Sequence, residues 1–205
     1  MRFYFDIDDT LFPSTEFSKL ARKNAIRAMI SMGLNYSEKF LMQKLNEIIK
    51  ERGSNYPKHF DELCKVLKIK KPNKFIAAAV AAYHDTKSSI LPYPEVPYVL
   101  KTLIEEGHEL FVVSEGLEKK QWDKLIRLGL TYFFKDVYVT REKTTKFYSK
   151  LKRGVVIGDN PLKDIEYAKK AGHITVRVKR GKRVKMKSNA DYTITDLRQL
   201  IKMRL

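Results

Sequence analysis

Cysteine is almost missing from this sequence. Cys64 stands alone among 205 residues, so no internal disulfide framework can form, and the chain suits a reducing compartment such as the cytosol. Its spacing from Phe60 and Leu67 puts it on one face of a helix, in a packing rather than a reactive role. Long apolar runs are missing too. None reaches the ~18–20 residues of a membrane span. The first residues read as a strand rather than as a secretion signal, so a cytoplasmic protein without a membrane segment is expected. Glutamine occurs only at Gln43, Gln121 and Gln199, against plentiful lysine and glutamate, a bias compatible with a thermophilic source. Acid is scarce relative to base: 24 Asp and Glu face 41 Lys and Arg, a net charge of +17. That surplus attracts anions, whether phosphorylated metabolites, nucleic acid or an acidic membrane surface. No internal repeat, stacking-aromatic motif or recognised nucleic-acid module accompanies it.

What is present suffices for a real core, at 43% hydrophobic residues. A short apolar strand opens the chain at 2–5. Pro13 and Ser14-Thr15 then mark a break and a helix start. Residues 14–88 read as four helices with no strand. Phe17, Leu20, Ala21, Ala25 and Ala28 form the apolar stripe of the first; Leu41, Leu45, Ile48 and Ile49 that of the second. Phe60, Leu63, Cys64 and Leu67 line the third, and an Ala-rich fourth lies around 74–84. Pro92, Pro94 and Pro97 form a hinge-like return. From there helices near 96–106, 118–128 and 162–171 alternate with continuous apolar strands at 110–113, 137–139, 154–157 and 174–178, with a short sixth at 191–194. Such alternation indicates a parallel sheet covered on both faces. The expected fold is α/β, a Rossmann-like parallel-sheet core (1–13 and 89–205) with a helical-bundle cap (14–88) inserted after the first strand.

The first strand runs into Asp6-Ile7-Asp8-Asp9-Thr10. Carboxylates crowded in this way repel one another, and a cation or a reaction is what such crowding serves. Asp6 and Asp8 fall on the same side of an extended chain. An oxygen-rich site of this kind suits a hard divalent cation such as Mg²⁺. Ser114 and Asp159 also follow predicted strands directly. In open parallel sheets ligands bind beyond the carboxyl ends of the strands, so these four residues, from three segments, converge on one crevice.

Asp6-x-Asp8-x-Thr10, Ser114 after an apolar strand, a lysine at Lys143, and Gly158-Asp159-x₄-Asp164, in that order, resemble the four motifs of the haloacid dehalogenase superfamily. The stretch from Ser114-Glu115-Gly116 through Gln121-Trp122-Asp123-Lys124 is similar to an archaeal subgroup of its small phosphatases. The resemblance implies a Mg²⁺-dependent phosphomonoesterase acting on a small phosphorylated metabolite. Asp6 would attack phosphorus and form an aspartyl-phosphate; Asp8 would act as acid, then base. Asp6, Asp159 and the Asp8 carbonyl would hold the metal, with Asp164 orienting the lysine or the metal shell. Ser114 and Lys143 would bind the phosphoryl oxygens, with Thr10, Glu115 and Gly116 beside them. Relatives have Lys-Pro at the third motif. This chain has Glu142-Lys143-Thr144-Thr145-Lys146, which leaves Lys146 as a competitor. No role is assigned to Asp9.

A dehalogenase lacks the second acid, which Asp8 provides here, so phosphoryl chemistry is preferred. A phosphomutase keeps both acids and stands as an alternative. Nucleic-acid binding is a second, resting on charge and on the segment 177–187, which holds seven basic residues and no acid. That segment is expected to be a solvated, mobile loop on the site side that draws in anionic substrates. A binding protein with a spent site is a third reading, opposed by the intact acids. Phe12, Phe17 and Lys19 are candidates for substrate selection. His84 is expected to pack or lie exposed at its helix end, and Trp122 to pack its own helix.

Overall fold

The computed structural model describes residues 1–54 and 56–203. The chain divides into two compact units, one of residues Met1–Thr15 with Ile90–Leu205, the other Glu16–Ser89.

The first unit is built on six strands: β1 (Arg2–Phe5), β2 (Glu109–Glu115), β3 (Asp136–Thr140), β4 (Val155–Gly158), β5 (Ile174–Val178) and β6 (Tyr192–Ile194). All pair in parallel, in the order β3-β2-β1-β4-β5-β6. β1 is central: Phe5 is in register with Val112 on one side and Ile157 on the other. A strand buried on both faces cannot alternate apolar with polar residues, and this is why the apolar runs of β1, β2 and β4 are continuous. Tyr4, Phe111, Val113, Tyr148, Val156 and Ala168 form one of its core clusters. The chain moves outward from β1 to β2 and β3, then returns to lay β4 on the other side of β1. The strand order therefore reverses between β1 and β4, and ligands of such sheets bind at that reversal.

The second unit holds most of α1 (Ser14–Ser31), then α2 (Glu38–Arg52), α3 (His59–Val66) and α4 (Asn73–Ser88). Ser37 caps α2 by accepting the Phe40 amide at 3.2 Å, the usual work of a serine before a helix. Its core joins Ala25, Ile26, Met29, Leu41, Leu45 and Leu63, with Cys64 buried among them. Burial pushes the Cys64 thiol up to about 11, which keeps it protonated and unreactive. The face of α1 differs from the expected stripe. Ala21, Ala25, Ile26 and Met29 are buried, while Leu20 is 54% exposed. Ala21 and Ala25 face inward as expected, and turning Ile26 and Met29 inward with them in place of Ala28 removes more apolar surface from water.

In the first unit, α5 (Val96–Glu105), α6 (Glu118–Arg127), α7 (Thr145–Tyr148) and α8 (Tyr167–Lys170) connect the strands. The helix expected from Leu162 is instead a π-helical turn, Pro161–Glu166, running into α8. A 3₁₀ helix over Leu197–Lys202, not anticipated from the sequence, starts with a capping box between Asp196 and Gln199. Trp122 on α6 is 37% exposed, so most of its surface is covered, and His84 is exposed. Among the described residues no helix is long and apolar enough to cross a membrane.

Candidate active site

Asp6 leaves β1 with its backbone N–H donating to the Ile157 carbonyl at 2.9 Å. The first acid is thereby tied to β4 at the strand-order reversal. Asp159 follows β4 directly, and Asp164 comes from the π-helical turn. Asn160 organises that turn: its side chain accepts the Leu162 and Lys163 amides, and its own amide donates to Asp164 Oδ2 at 3.0 Å. Gly158 permits the close approach, because a Cβ there would lie 2.4 Å from Asp164 Oδ2. Asp6, Asp159 and Asp164 are all buried, and one carboxylate oxygen from each falls within 4.8 Å of the others.

Lys143 is 2% exposed. Its Nζ donates to Asp6 Oδ1 at 2.6 Å and to Asp164 Oδ1 at 2.5 Å. Burial pulls this ammonium down, but Asp164 and Asp6 outweigh burial and hold it well above its ordinary value. Lys146 lies on α7 and is exposed. Thr144 separates the two lysines by capping α7, accepting the Phe147 amide at 3.2 Å. Asp159 is lifted to about 7, first by burial and then by Asp164, against the pull of Arg183.

The cluster holds three buried acids against Lys143 and the partly exposed Arg183, whose Nη1 donates to Asp159 Oδ2 at 3.0 Å. Negative charge is in excess, and every donor is a carboxylate oxygen. A hard dication fits that donor set.

Ser114 is buried near the end of β2, which continues through it to Glu115. Glu115 is already engaged: it accepts the Lys143 amide at 3.1 Å and Lys163 Nζ at 2.5 Å. It fixes the backbone that presents Lys143. Gly116 has φ +141°, and a Cβ there would meet Gln121 Nε2 at 2.7 Å. Thr10 is fully buried, and its hydroxyl has no hydrogen-bond partner among the described residues. Asp8 stands apart from the three converging acids. Both its oxygens accept from Lys124 Nζ of α6, at 2.7 Å each. Phe12 is buried, Phe17 packs edge-on to Tyr83, and Lys19 is exposed.

Asp9 gains a structural role. In the left-handed region at φ +57°, it accepts from Ser14 Oγ at 3.0 Å, the Thr15 amide at 2.8 Å and Thr15 Oγ1 at 2.5 Å. It thus caps the start of α1.

The basic segment is only in part the solvated loop expected of it: residues 182 and 184–187 are exposed, while its arginines are engaged. Arg177 is 1% exposed and donates to the carbonyls of Met186, Arg183 (2.7 Å) and Asp159 (3.4 Å). Arg180 donates to the Thr10 carbonyl at 3.2 Å, pairs with Glu95, and lies 4.0 Å over the Tyr93 ring. Composition showed a run of charge; it could not show that carbonyls of the segment itself and carbonyls and acids of other segments were waiting for it. Lys182, Lys185 and Lys187 do remain exposed. The sequence placed Lys124 in the stretch that carries the resemblance and Arg183 in the basic segment, but it did not predict that each pairs with an acid of the site. Both pairings join distant segments and leave no local pattern.

A model of the haloacid dehalogenase-like hydrolases matches residues 3–178. The chain is 43% identical to the glyceraldehyde 3-phosphate phosphatase of Methanopyrus kandleri, over 94% of this chain and 89% of that protein. It is 41% identical to the protein of the same name from Methanocaldococcus jannaschii, over 96% and 93%. Among solved structures, the HAD phosphatase of Thermococcus onnurineus superposes with a TM-score of 0.67 at 21% identity, covering 98% of this chain and 96% of that one. The chain belongs to the haloacid dehalogenase-like hydrolases. Within them it is a phosphatase, a hydrolase of phosphoric monoesters.

Proposed function

We propose that the protein is a Mg²⁺-dependent phosphatase of a small phosphorylated metabolite, working through an aspartyl-phosphate on Asp6. The observation that carries this reading is the convergence of Asp6, Lys143, Asp164 and Asp159 at the reversal of strand order. Lys143 holds Oδ1 of Asp6 and so fixes the carboxylate that presents Oδ2 to phosphorus. As the new P–O bond forms, the bond to the substrate oxygen breaks, and Asp8 delivers a proton to that alkoxide. Asp8 then accepts a proton from the water that attacks phosphorus, and Asp6 leaves as a carboxylate. Ser114 and Lys143 stabilise the charge that spreads over the phosphoryl oxygens. Asp6 and Asp159, with the Asp8 carbonyl, would hold Mg²⁺, which supplies the positive charge that offsets repulsion between the Asp6 carboxylate and the phosphate. Asp164 orients Lys143.

The relatives' name makes glyceraldehyde 3-phosphate the first substrate to try. The helical unit serves in this reading as a cap, which favours small substrates by excluding bulk. The test is phosphate release from a panel of triose, glycolate and hexose monophosphates, with Mg²⁺ and with EDTA. Expected are Mg²⁺-dependent release, its loss in Asp6→Asn, and an acid-stable adduct of one phosphoryl group on the Asp6 peptide after rapid quenching. An isomerised phosphate with no release would replace this reading with a mutase. Turnover that survives Asp6→Asn would remove Asp6 as nucleophile.

A further inference from the structure

The acid cluster is neutralised by two cations that differ in how they are held. Lys143 is enclosed and bonded to two acids at once. It cannot withdraw without leaving Asp6 and Asp164 buried and unpaired. Arg183 is different. Its side chain is 28% exposed while that of Asp159 is 2% exposed, so the guanidinium enters from the solvent side. It meets Asp159 through Nη1, not through the two-pronged geometry that makes arginine–carboxylate pairs strongest.

The backbone beneath this side chain is anchored separately. The Arg183 carbonyl accepts Arg177 Nη2 at 2.7 Å. Gly181, at φ +61°, lies so close to Asp9 that a Cβ would fall 2.1 Å from Asp9 Oδ2. Arg180, one residue earlier, is bonded to the Thr10 carbonyl and stacked on Tyr93. The Arg183 side chain can therefore move while the loop stays.

A guanidinium on Asp159 and a dication on Asp159 compete for the same carboxylate, and their charges repel. We propose that Arg183 is an internal counter-ion that holds the place of the divalent cation at Asp159 and must be displaced for the cation to bind. This rests on the reading of Asp159 as a metal ligand. Its consequence is that Arg183 weakens metal affinity while protecting the metal-free protein from unpaired buried acid.

The experiment is calorimetric titration of Mn²⁺ or Mg²⁺ into wild type, Arg183→Gln, Asp159→Asn and Lys182→Gln. It is run without substrate and at mildly alkaline pH, so that protons do not compete. Lys182→Gln removes one charge from the same loop at an exposed position and controls for net charge. Arg183→Gln is expected to bind about tenfold more tightly than wild type, equivalent to about 1.4 kcal/mol. Lys182→Gln should shift affinity far less, and Asp159→Asn should lose binding. Thermal unfolding gives the second readout: Arg183→Gln should melt below wild type in EDTA and match it with the cation in excess.

Unchanged or weaker binding by Arg183→Gln, with Asp159→Asn inactive in binding, overturns the counter-ion and leaves the metal reading standing. Equal destabilisation with and without the cation makes Arg183 a structural strut and also overturns it. Absence of binding by both wild type and Arg183→Gln sinks the metal reading, and the inference with it.

Discussion

At the scale of single residues, two neighbouring lysines have opposite surroundings. Lys143 bridges two buried acids, and Lys146 sits three residues on, exposed on α7. Lys143→Met should abolish turnover and cost about 3–5 kcal/mol of stability, because it leaves buried carboxylates without their cation. Lys146→Ala should change stability by no more than about 0.5 kcal/mol and leave kcat intact; the reverse pattern, read by steady-state assay and urea melts, would move the assignment. The sequence held a clue: Thr144 is a good cap, and a residue before a cap lies outside the helix that carries Lys146. Asp159 gives a prediction in pH. Its ordinary value is 3.8 and burial lifts it to about 7. The folded protein therefore binds this proton more tightly than the unfolded chain does. The stability it contributes is full below about 4 and is lost as pH rises through about 7. In EDTA, Asp159→Asn should remove that part of the fall in melting temperature over this window, and excess Mg²⁺ should remove it in wild type. Identical pH slopes for mutant and wild type would show that Asp159 does not titrate there.

Elements were legible where local pattern and burial agree. The continuous apolar runs of β1, β2 and β4 announced a doubly covered parallel sheet, and their ends announced where the acids would meet. What the sequence hid was set by tertiary approach. The π-helical turn after β4 reads as ordinary helix, yet Asp164 reaches back to the Asn160 amide and presses on Gly158. The α1 face turned toward Ile26 and Met29 because the whole second unit, not the local stripe, decides which side is buried. The two ends of β4 make the turn testable. Gly158→Ala would put a methyl within 2.5 Å of the Asp164 Cβ and Cγ, atoms close to the backbone that cannot swing aside. It should cost about 1–3 kcal/mol and, by displacing Asp164 and hence Lys143, abolish turnover. Gly154→Ala, just before the same strand, meets the Arg2 carbonyl at 2.4 Å. It should destabilise comparably while sparing kcat. Equal kinetic damage from both would place the effect in strand stability and not in Asp164.

For the molecule as a whole, the question is what a net charge of +17 does. Part of it is structural and so unavailable to a ligand: Arg177, Arg180 and Arg183 are consumed by carbonyls, Glu95 and Asp159. Composition counts these three with the rest, which is why the segment's role was not legible from charge alone. Lys182, Lys185 and Lys187 stay exposed on the same loop, held near the site by those anchors. Fixed positive charge beside a site for a phosphate dianion raises the encounter rate without touching the chemical step, and salt screens it over about 8 Å at physiological ionic strength. Replacing all three lysines by glutamine should therefore lower kcat/KM roughly threefold to tenfold at low salt, leave kcat unchanged, and flatten the dependence of kcat/KM on ionic strength. Arg183 is kept out of this set because its replacement disturbs Asp159. If the triple variant kept both the rate and its salt slope, the exposed lysines would have no part in capture. If it instead lost a tight, salt-sensitive affinity for RNA while kcat/KM stood still, the surplus charge would serve a nucleic acid and not the substrate.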